Sequence, residues 1–180
     1  MSLAIPEARG GAAVPAALPV LAQVLHWLTA ALVLGLFVSG VVMTQIGEGP
    51  TADLLYLCHR TAGILLLGTV LIRIGYRLSA HLAGRWHRQV ASRAVHALLY
   101  LALLAVPLLG WAGSSGFGAR RLLLGLSLPQ IGPEEAGLGD ALLTGHAWLA
   151  FALVALVVLH IGVAIGDYLA RDANAEAGQP

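Results

Sequence analysis

The sequence has few charged residues and no lysine. Charged side chains make up 11% of the 180 residues, and all ten cations are arginine. A soluble domain carries about 25% charged residues, so this chain has too few charges to cover a water-facing surface. With a mean hydropathy of +0.83, the chain is expected to be an integral membrane protein. Its formal net charge of +1 gives no global attraction to a polyanion, and nucleic acid is not an expected partner.

Cysteine is almost absent as well. The single thiol, Cys58, excludes an internal disulfide, and the motifs CxxC and CxxCH do not occur. The first motif is typical of zinc and redox sites, and the second is the signature of covalent haem attachment. A CxxC-type zinc or redox site is therefore not expected, and any haem is not attached covalently through CxxCH.

Four apolar segments are long enough to cross a bilayer, which takes about 20 residues of helix. They lie within residues 18–46, 54–78, 94–113 and 141–166. Pro107 stands inside the third segment and is expected to kink it or to end its straight part. The predicted fold class is all-α, an integral membrane four-helix bundle surrounded by membrane lipid.

The chain divides into three parts around these segments. Residues 1–17 are expected to form an N-terminal cytoplasmic segment, residues 18–166 the transmembrane domain, and residues 167–180 a polar C-terminal tail. The longest loop, residues 114–140, is rich in glycine and proline and includes a candidate short helix near residues 122–124. We expect this loop to cap one face of the bundle.

Arginine placement predicts the orientation of the bundle. No acidic residue occurs between Asp53 and Glu134, and the loop between the second and third spans, with its flanks, is rich in arginine. The arginines concerned are Arg73, Arg77, Arg85, Arg88 and Arg93. Arginine-rich loops stay on the cytoplasmic side of the membrane. Both termini are therefore predicted to be cytoplasmic, on the side that we call inner, and the other two loops to face outward.

Four histidines within the spans pair by depth under this topology. His146 and His160 share the fourth span and are 14 residues apart, which is about 21 Å along a helix with the two side chains within about 40° of each other. The fourth span runs inward, so His146 lies near the outer side and His160 near the inner side. His26 enters its span from inside and matches His160, whereas His59 enters from outside and matches His146.

Two histidine pairs on different helices favour two stacked haems. Ionisable side chains within a span usually face the bundle interior and mark a functional site. Imidazole is a common axial ligand of haem iron, whereas one zinc or copper ion needs its ligands within a few ångströms of one another. For any single histidine the alternative is a buried hydrogen-bonding residue. Bis-histidine ligation leaves no open position at iron and therefore favours one-electron transfer.

Several motifs resemble the bacterial cytochrome b561 family. They are LHWLTA from Leu25, HRTAG from His59, the HALLY…PLLGW segment from His96, and the fourth span from His146 through HIGVAI, which begins at His160. The resemblance covers residues 25–165 in the family's order. Two departures are the lack of basic residues just before LHW, and Asp167 and Tyr168 where the family often has further histidines.

The resemblance implies a multi-pass protein of the bacterial inner membrane with two haem b groups and their iron. His26 and His160 are the implied ligands of the inner haem, and His59 and His146 those of the outer haem. It also implies an oxidoreductase that exchanges electrons with the quinone pool, with ubiquinone as the expected acceptor. The one-electron donor is not identified, and superoxide is one candidate.

Arg73 and His96 are further candidates at the inner haem. Arg73 follows His59 by 14 residues, which places it at inner depth, where it could bind a haem propionate or only anchor the span. His96 opens the third span on the same side and is a candidate for propionate binding, quinone binding or proton transfer, or for an interfacial polar residue. His81 and His87 are expected in a solvated loop.

Two other functions stay open at this point. A haem-bearing membrane anchor could receive electrons from a partner redox subunit of a larger dehydrogenase. A proton-coupled transporter of small solutes could use intramembrane histidines as a relay. The sequence does not determine the direction of electron transfer or whether the chain forms a homo-oligomer.

Overall fold

The computed structural model describes residues 20–82 and 93–177. Within these ranges the chain forms four long helices, which are α1 (Val20–Met43), α2 (Pro50–Leu82), α3 (Arg93–Gly116) and α4 (Ala136–Ala177). All four are long and apolar enough to cross a membrane. The predicted all-α four-helix membrane bundle is confirmed. The predicted N-terminal segment 1–17 and the loop residues Arg85, His87 and Arg88 lie outside the described residues.

The local sequence explains where α2 begins. Pro50 occupies the first helical position, where a missing N–H group is not needed. Asp53 lies in the first turn, where a negative charge is favourable next to the positive end of the helix dipole. Gly47 and Gly49 in the preceding turn have φ of 80° and 133°, and such positive values favour glycine.

Two helices extend further than predicted. Helix α2 continues to Leu82, so His81 lies in its last turn and not in a loop. Helix α4 continues to Ala177, so most of the polar tail 167–180 is helical. The tail is rich in alanine and has no glycine or proline before Gly178, so its intrinsic helix propensity is high although its residues are polar. Helix α3 also runs through Pro107 without ending.

Neighbouring helices pack in chain order, with α1 on α2, α2 on α3, and α3 on α4. Glycines allow the close approach of α3 and α4: a Cβ added at Gly113 would lie 2.8 Å from Cγ of Leu143, and one at Gly139 would lie 2.7 Å from Cε2 of Phe117. Small residues play this role widely in membrane helices. The buried core is formed by Leu66, Val70, Leu99, Ala102, Leu103, Val106 and Leu153, on α2, α3 and α4.

Helix α4 stands apart from α1 and α2. Over the described ranges, the α4 backbone makes no close packing with either helix like that of the three neighbouring pairs. Side chains bridge the space instead, as with Phe37 of α1 and Phe151 of α4, whose ring centres are 5.2 Å apart. Between α4 and the helices α1 and α2, contact is therefore made by side chains, which include Leu153 of α4 in the buried core.

The loop between α3 and α4 folds back onto α2. Arg60 Nε donates to the carbonyl oxygen of Arg121 at 3.1 Å, and the N–H of Leu123 donates to Thr61 Oγ1 at 3.0 Å. The short helix expected near residues 122–124 is a 3-10 turn at Leu123–Gly125. The loop thus covers the part of α2 that directly follows His59.

Candidate functional site

The outer pair consists of His59 on α2 and His146 on α4. Both are half-buried, and their ring centres are 6.1 Å apart with the ring planes at 82°. A metal–imidazole bond is about 2.0–2.1 Å long, and the ring centre lies about 1.1 Å beyond the nitrogen atom. Two imidazoles that bind one metal from opposite sides would therefore have their ring centres about 6.3 Å apart. The observed spacing therefore matches a metal ion between the two rings.

Neighbouring groups orient both outer rings through their Nδ1 atoms. Nδ1 of His146 lies 2.8 Å from the carbonyl oxygen of Val106, which can only accept, so this nitrogen carries the proton. Ser39 Oγ lies 3.1 Å from the carbonyl oxygen of Leu36 and 3.1 Å from Nδ1 of His59. When the Ser39 hydroxyl donates to that carbonyl, its oxygen accepts from Nδ1, and both rings then present an unprotonated Nε2, which is the form that binds a metal.

Two glycines make room for the outer rings. A Cβ added at Gly40 on α1 would lie 3.3 Å from Cε1 of His59. A Cβ added at Gly110 on α3 would lie 3.0 Å from Nδ1 of His146. Such contacts are tighter than packed side chains normally make, so any larger residue at these positions would displace the rings.

The inner pair consists of His26 on α1 and His160 on α4. Their ring centres are 6.4 Å apart with the ring planes at 68°, again close to the about 6.3 Å of two ligands across one metal. His96 on α3 also lies against His160, at 5.0 Å between ring centres. This distance is too short for a metal between the two rings, so the spacing favours His26 over His96 as the partner of His160.

Arg73 lies beside the inner pair. Its Nη2 is 3.3 Å from Nδ1 of His26, and its Cζ is 5.7 Å from the centre of the Tyr100 ring. Arginine only donates, so Nδ1 of His26 accepts here and the ring proton is on Nε2. If Nε2 of His26 held a metal, the ring proton would be on Nδ1, and Arg73 would then donate to another acceptor. Of the described carboxylates, none lies within 4.0 Å of Arg73 to form an ion pair.

The structure places the six candidate residues in two groups. His59 and His146 form the outer group, and the inner group contains the remaining four: His26, His160, Arg73 and His96. Within the described ranges, no three histidine, cysteine or acidic side chains form a cluster that could hold a bare metal ion. Two facing imidazoles across a gap between helices suit instead an iron whose other ligands come from a flat macrocycle, and haem b fits these residues.

Sequence reasoning missed Ser39, Gly40 and Gly110 at the outer pair. A signal for the glycines is present, because Gly40 follows His26 and Gly110 follows His96 by 14 residues. Fourteen residues of helix span about 21 Å and return to nearly the same face. A residue 14 positions after His26 or His96 therefore lies at the depth of the outer pair, on the same helix face as that histidine. Ser39 has no comparable signal, since its role depends on which helix lies beside α1.

The comparisons with known proteins agree with this geometry. The family model described as prokaryotic cytochrome b561 matches residues 17–173, which include almost all of the four helices. The chain is also 30% identical to cytochrome b561 homolog 2 of Escherichia coli (strain K12) over 151 residues, which cover 78% of this chain and 79% of that relative. A membrane cytochrome is thereby favoured over the transporter alternative. The chain belongs to the prokaryotic cytochrome b561 family and is a bacterial membrane protein that binds haem b and transfers electrons.

Proposed function

We propose that this protein moves single electrons through two haem b groups, one near each side of the bacterial inner membrane, and exchanges them with the quinone pool. The observation that carries the proposal is the spacing of the histidine pairs, 6.1 Å and 6.4 Å between ring centres. Both values are close to the about 6.3 Å obtained for two imidazoles across one metal ion with a bond length of about 2.0–2.1 Å.

The ligand assignment follows from these pairs. His59 and His146 would hold the outer haem, and His26 and His160 the inner haem. Haem b, when bound, supplies reversible one-electron chemistry whose potential depends on the axial ligands, hydrogen bonds and nearby charge. Ligation of each iron by two histidines would leave no open position there and would disfavour dioxygen chemistry. Ser39 and the carbonyl of Val106 would hold the outer rings in the ligating tautomer.

Arg73 is proposed to bind a propionate of the inner haem. A charged side chain within a membrane span is costly unless it finds a partner. Arg73 is half-buried within α2 and contacts the inner pair through His26. A guanidinium matches the two oxygens of a carboxylate. His96, which lies against His160, is proposed to serve proton or quinone exchange at the same end.

Superoxide is proposed as the electron donor and ubiquinone as the acceptor. Arg60 follows the outer ligand His59, and its bond to the Arg121 carbonyl brings two cationic residues together at the outer end, where they would attract an anion. Arg120 adds less, because it lies 3.9 Å from Glu134. Each superoxide would lose one electron and become dioxygen, and two electrons with two protons would reduce one quinone to quinol.

The decisive experiment is a haem count. The purified chain is expected to contain two haems that acid–acetone extracts, with a low-spin difference spectrum, as measured by pyridine haemochrome against protein concentration. A ratio near one would contradict the assignment of two sites. The donor is tested separately, by superoxide-driven reduction of a soluble ubiquinone analogue. Arg60→Gln is expected to slow this reduction by about fivefold, since removing a steering charge lowers the association rate, whereas the control Arg171→Gln is expected to have no effect.

A further inference from the structure

A cleft of about 410 Å³ lies between α2 and α3, at the end of the bundle that carries the inner pair. It is lined by Ile74, Arg77, Leu78 and His81 of α2 and by Tyr100 of α3. The spacing of the four α2 residues places them on one helix face. None of the four proposed haem ligands lines this cleft. Binding of a molecule in the cleft would therefore be separate from the proposed electron transfer.

The polarity of the cleft changes with depth in the membrane. The two histidine pairs are about 21 Å apart within a hydrocarbon core of about 30 Å, so each lies about 5 Å from its edge. Arg73 contacts the inner pair, and on the same helix Arg77 lies about 6 Å and His81 about 12 Å further out. The apolar side chain of Ile74 thus borders the hydrocarbon, and the basic groups reach the head-group layer.

Positive charge converges on the wall formed by Tyr100. Cζ of Arg73 and Cζ of Arg77 lie 5.7 Å and 5.3 Å from the centre of its ring. These arginines are four residues apart on one helix, a spacing at which like charges repel. Arg77 Nη1 donates to the Tyr100 hydroxyl at 3.0 Å, so this hydroxyl keeps its own proton to donate. A phosphate at this wall would offset the charge of Arg77 and could accept hydrogen bonds from its guanidinium and from the Tyr100 hydroxyl.

We propose that this cleft binds the phosphate of an anionic phospholipid, with Arg77, His81 and Tyr100 at the head group and an acyl chain along Ile74 and Leu78. Basic pockets between transmembrane helices bind such head groups. An acyl chain explains why the inner part of the cleft is apolar. A neutral quinone ring accepts hydrogen bonds from such groups but does not neutralise the charge of Arg77, whereas a phosphate does both.

The test uses the full haem-loaded chain released from bilayers of mixed phosphatidylglycerol and phosphatidylcholine, with the retained lipid counted by native mass spectrometry. We expect preferential retention of phosphatidylglycerol. Arg77→Gln is expected to lower its affinity by about fivefold, the effect of one cation near a membrane surface, and His81→Gln to lower it less, through the loss of a hydrogen-bond donor to the phosphate. Arg171→Gln, which removes a charge from α4 outside the cleft, should leave retention unchanged. Leu78→Trp should lower retention by filling the cleft while all charges remain.

Three results would overturn the proposal. Equal retention of the two lipids by the unaltered chain would show that no anionic head group is recognised. Displacement of phosphatidylglycerol by inorganic phosphate alone would show an anion site that does not use the acyl chain. Its displacement by a short-chain quinone would make the cleft a quinone site. In every arm the haem spectrum is recorded in parallel, so a failure here is distinguishable from a failure of the proposed haem ligation.

Discussion

At the scale of single residues, the two histidine pairs differ in what surrounds their Nδ1 atoms. In the outer pair, Nδ1 of His59 and Nδ1 of His146 each lie within hydrogen-bond distance of a neutral oxygen atom. In the inner pair, Nδ1 of His26 faces the cationic side chain of Arg73. The outer rings are therefore preorganised for ligation, whereas the inner site needs Arg73 to find another acceptor, such as a propionate.

Removing one ligand should affect one haem. His59→Ala would leave the outer iron with His146 only, and His26→Ala would leave the inner iron with His160 only. Each variant is expected to lose or convert one haem while the other keeps its low-spin signal, as measured by difference spectra and haem content. His96→Ala is the matched control and should retain both haems. If His96→Ala loses a haem while His26→Ala keeps both, the inner assignment is wrong.

A methyl group at Gly110 should disturb the outer site. Its Cβ would lie 3.0 Å from Nδ1 of His146 and 3.1 Å from Cε1, so the ring would have to shift from its present position. Overpacking of this kind costs about 1–3 kcal/mol, so Gly110→Ala is expected to weaken retention of the outer haem during heating in detergent. Gly75→Ala is the control, because a Cβ there meets nothing within 4 Å. Equal haem loss from both variants would contradict the packing role of Gly110.

At the scale of helices, the position of α4 controls both sites. This helix carries His146 and His160, and its close packing is with α3. Near one end of this contact, Gly116 and Gly139 bring the helices together, since a Cβ at Gly116 would lie 2.8 Å from Cα of Gly139. Because α4 stands apart from α1 and α2, its docking on α3 sets the distance to both opposing histidines.

Changing this contact should therefore lower the stability of the bundle. Gly139→Ala would place a Cβ 2.7 Å from the Phe117 ring and 3.1 Å from the Gly113 carbonyl. We expect the free energy of unfolding to fall by about 1–3 kcal/mol, measured as a lower Tm of the detergent-solubilised protein. Gly137→Ala, two residues away with nothing within 4 Å, should leave Tm unchanged or raise it, since alanine favours helix. An equal fall in Tm for both variants would contradict the packing role of Gly139.

At the scale of the whole molecule, orientation depends on the distribution of arginine between the loops. The arginine-rich connection predicts an inner side that holds both termini. A fluorescent protein fused after Pro180 should therefore be fluorescent, and alkaline phosphatase at the same point should be inactive. Alkaline phosphatase inserted after Leu126, in the loop between α3 and α4, should by contrast be active. The reverse pattern would exchange the inner and outer labels without changing the histidine pairs.

Helical periodicity determined much of this from the sequence alone. Apolar length predicts the four spans, and the 14-residue spacing of His146 and His160 predicts two depths on one face of α4. These inferences hold because rise and rotation per residue are constant along a helix. The same 14-residue spacing separates His59 from Arg73 and therefore places Arg73 at inner depth. It also separates His26 from Gly40 and would have placed Gly40 at outer depth. Helix ends were less well predicted, since polar residues such as those from Asp167 to Ala177 can remain helical after the apolar segment ends.

Only the tertiary structure decided which side chains meet. His26 and His96 both lie near the depth of His160, and depth does not distinguish between them. Their distances do, at 6.4 Å and 5.0 Å between ring centres. The orienting contacts of Ser39 and the Val106 carbonyl, and the cleft beside Tyr100, likewise join different helices. Periodicity describes one helix at a time, whereas the separation and order of neighbouring helices result from packing all four together, and the site forms in the gap which that packing leaves.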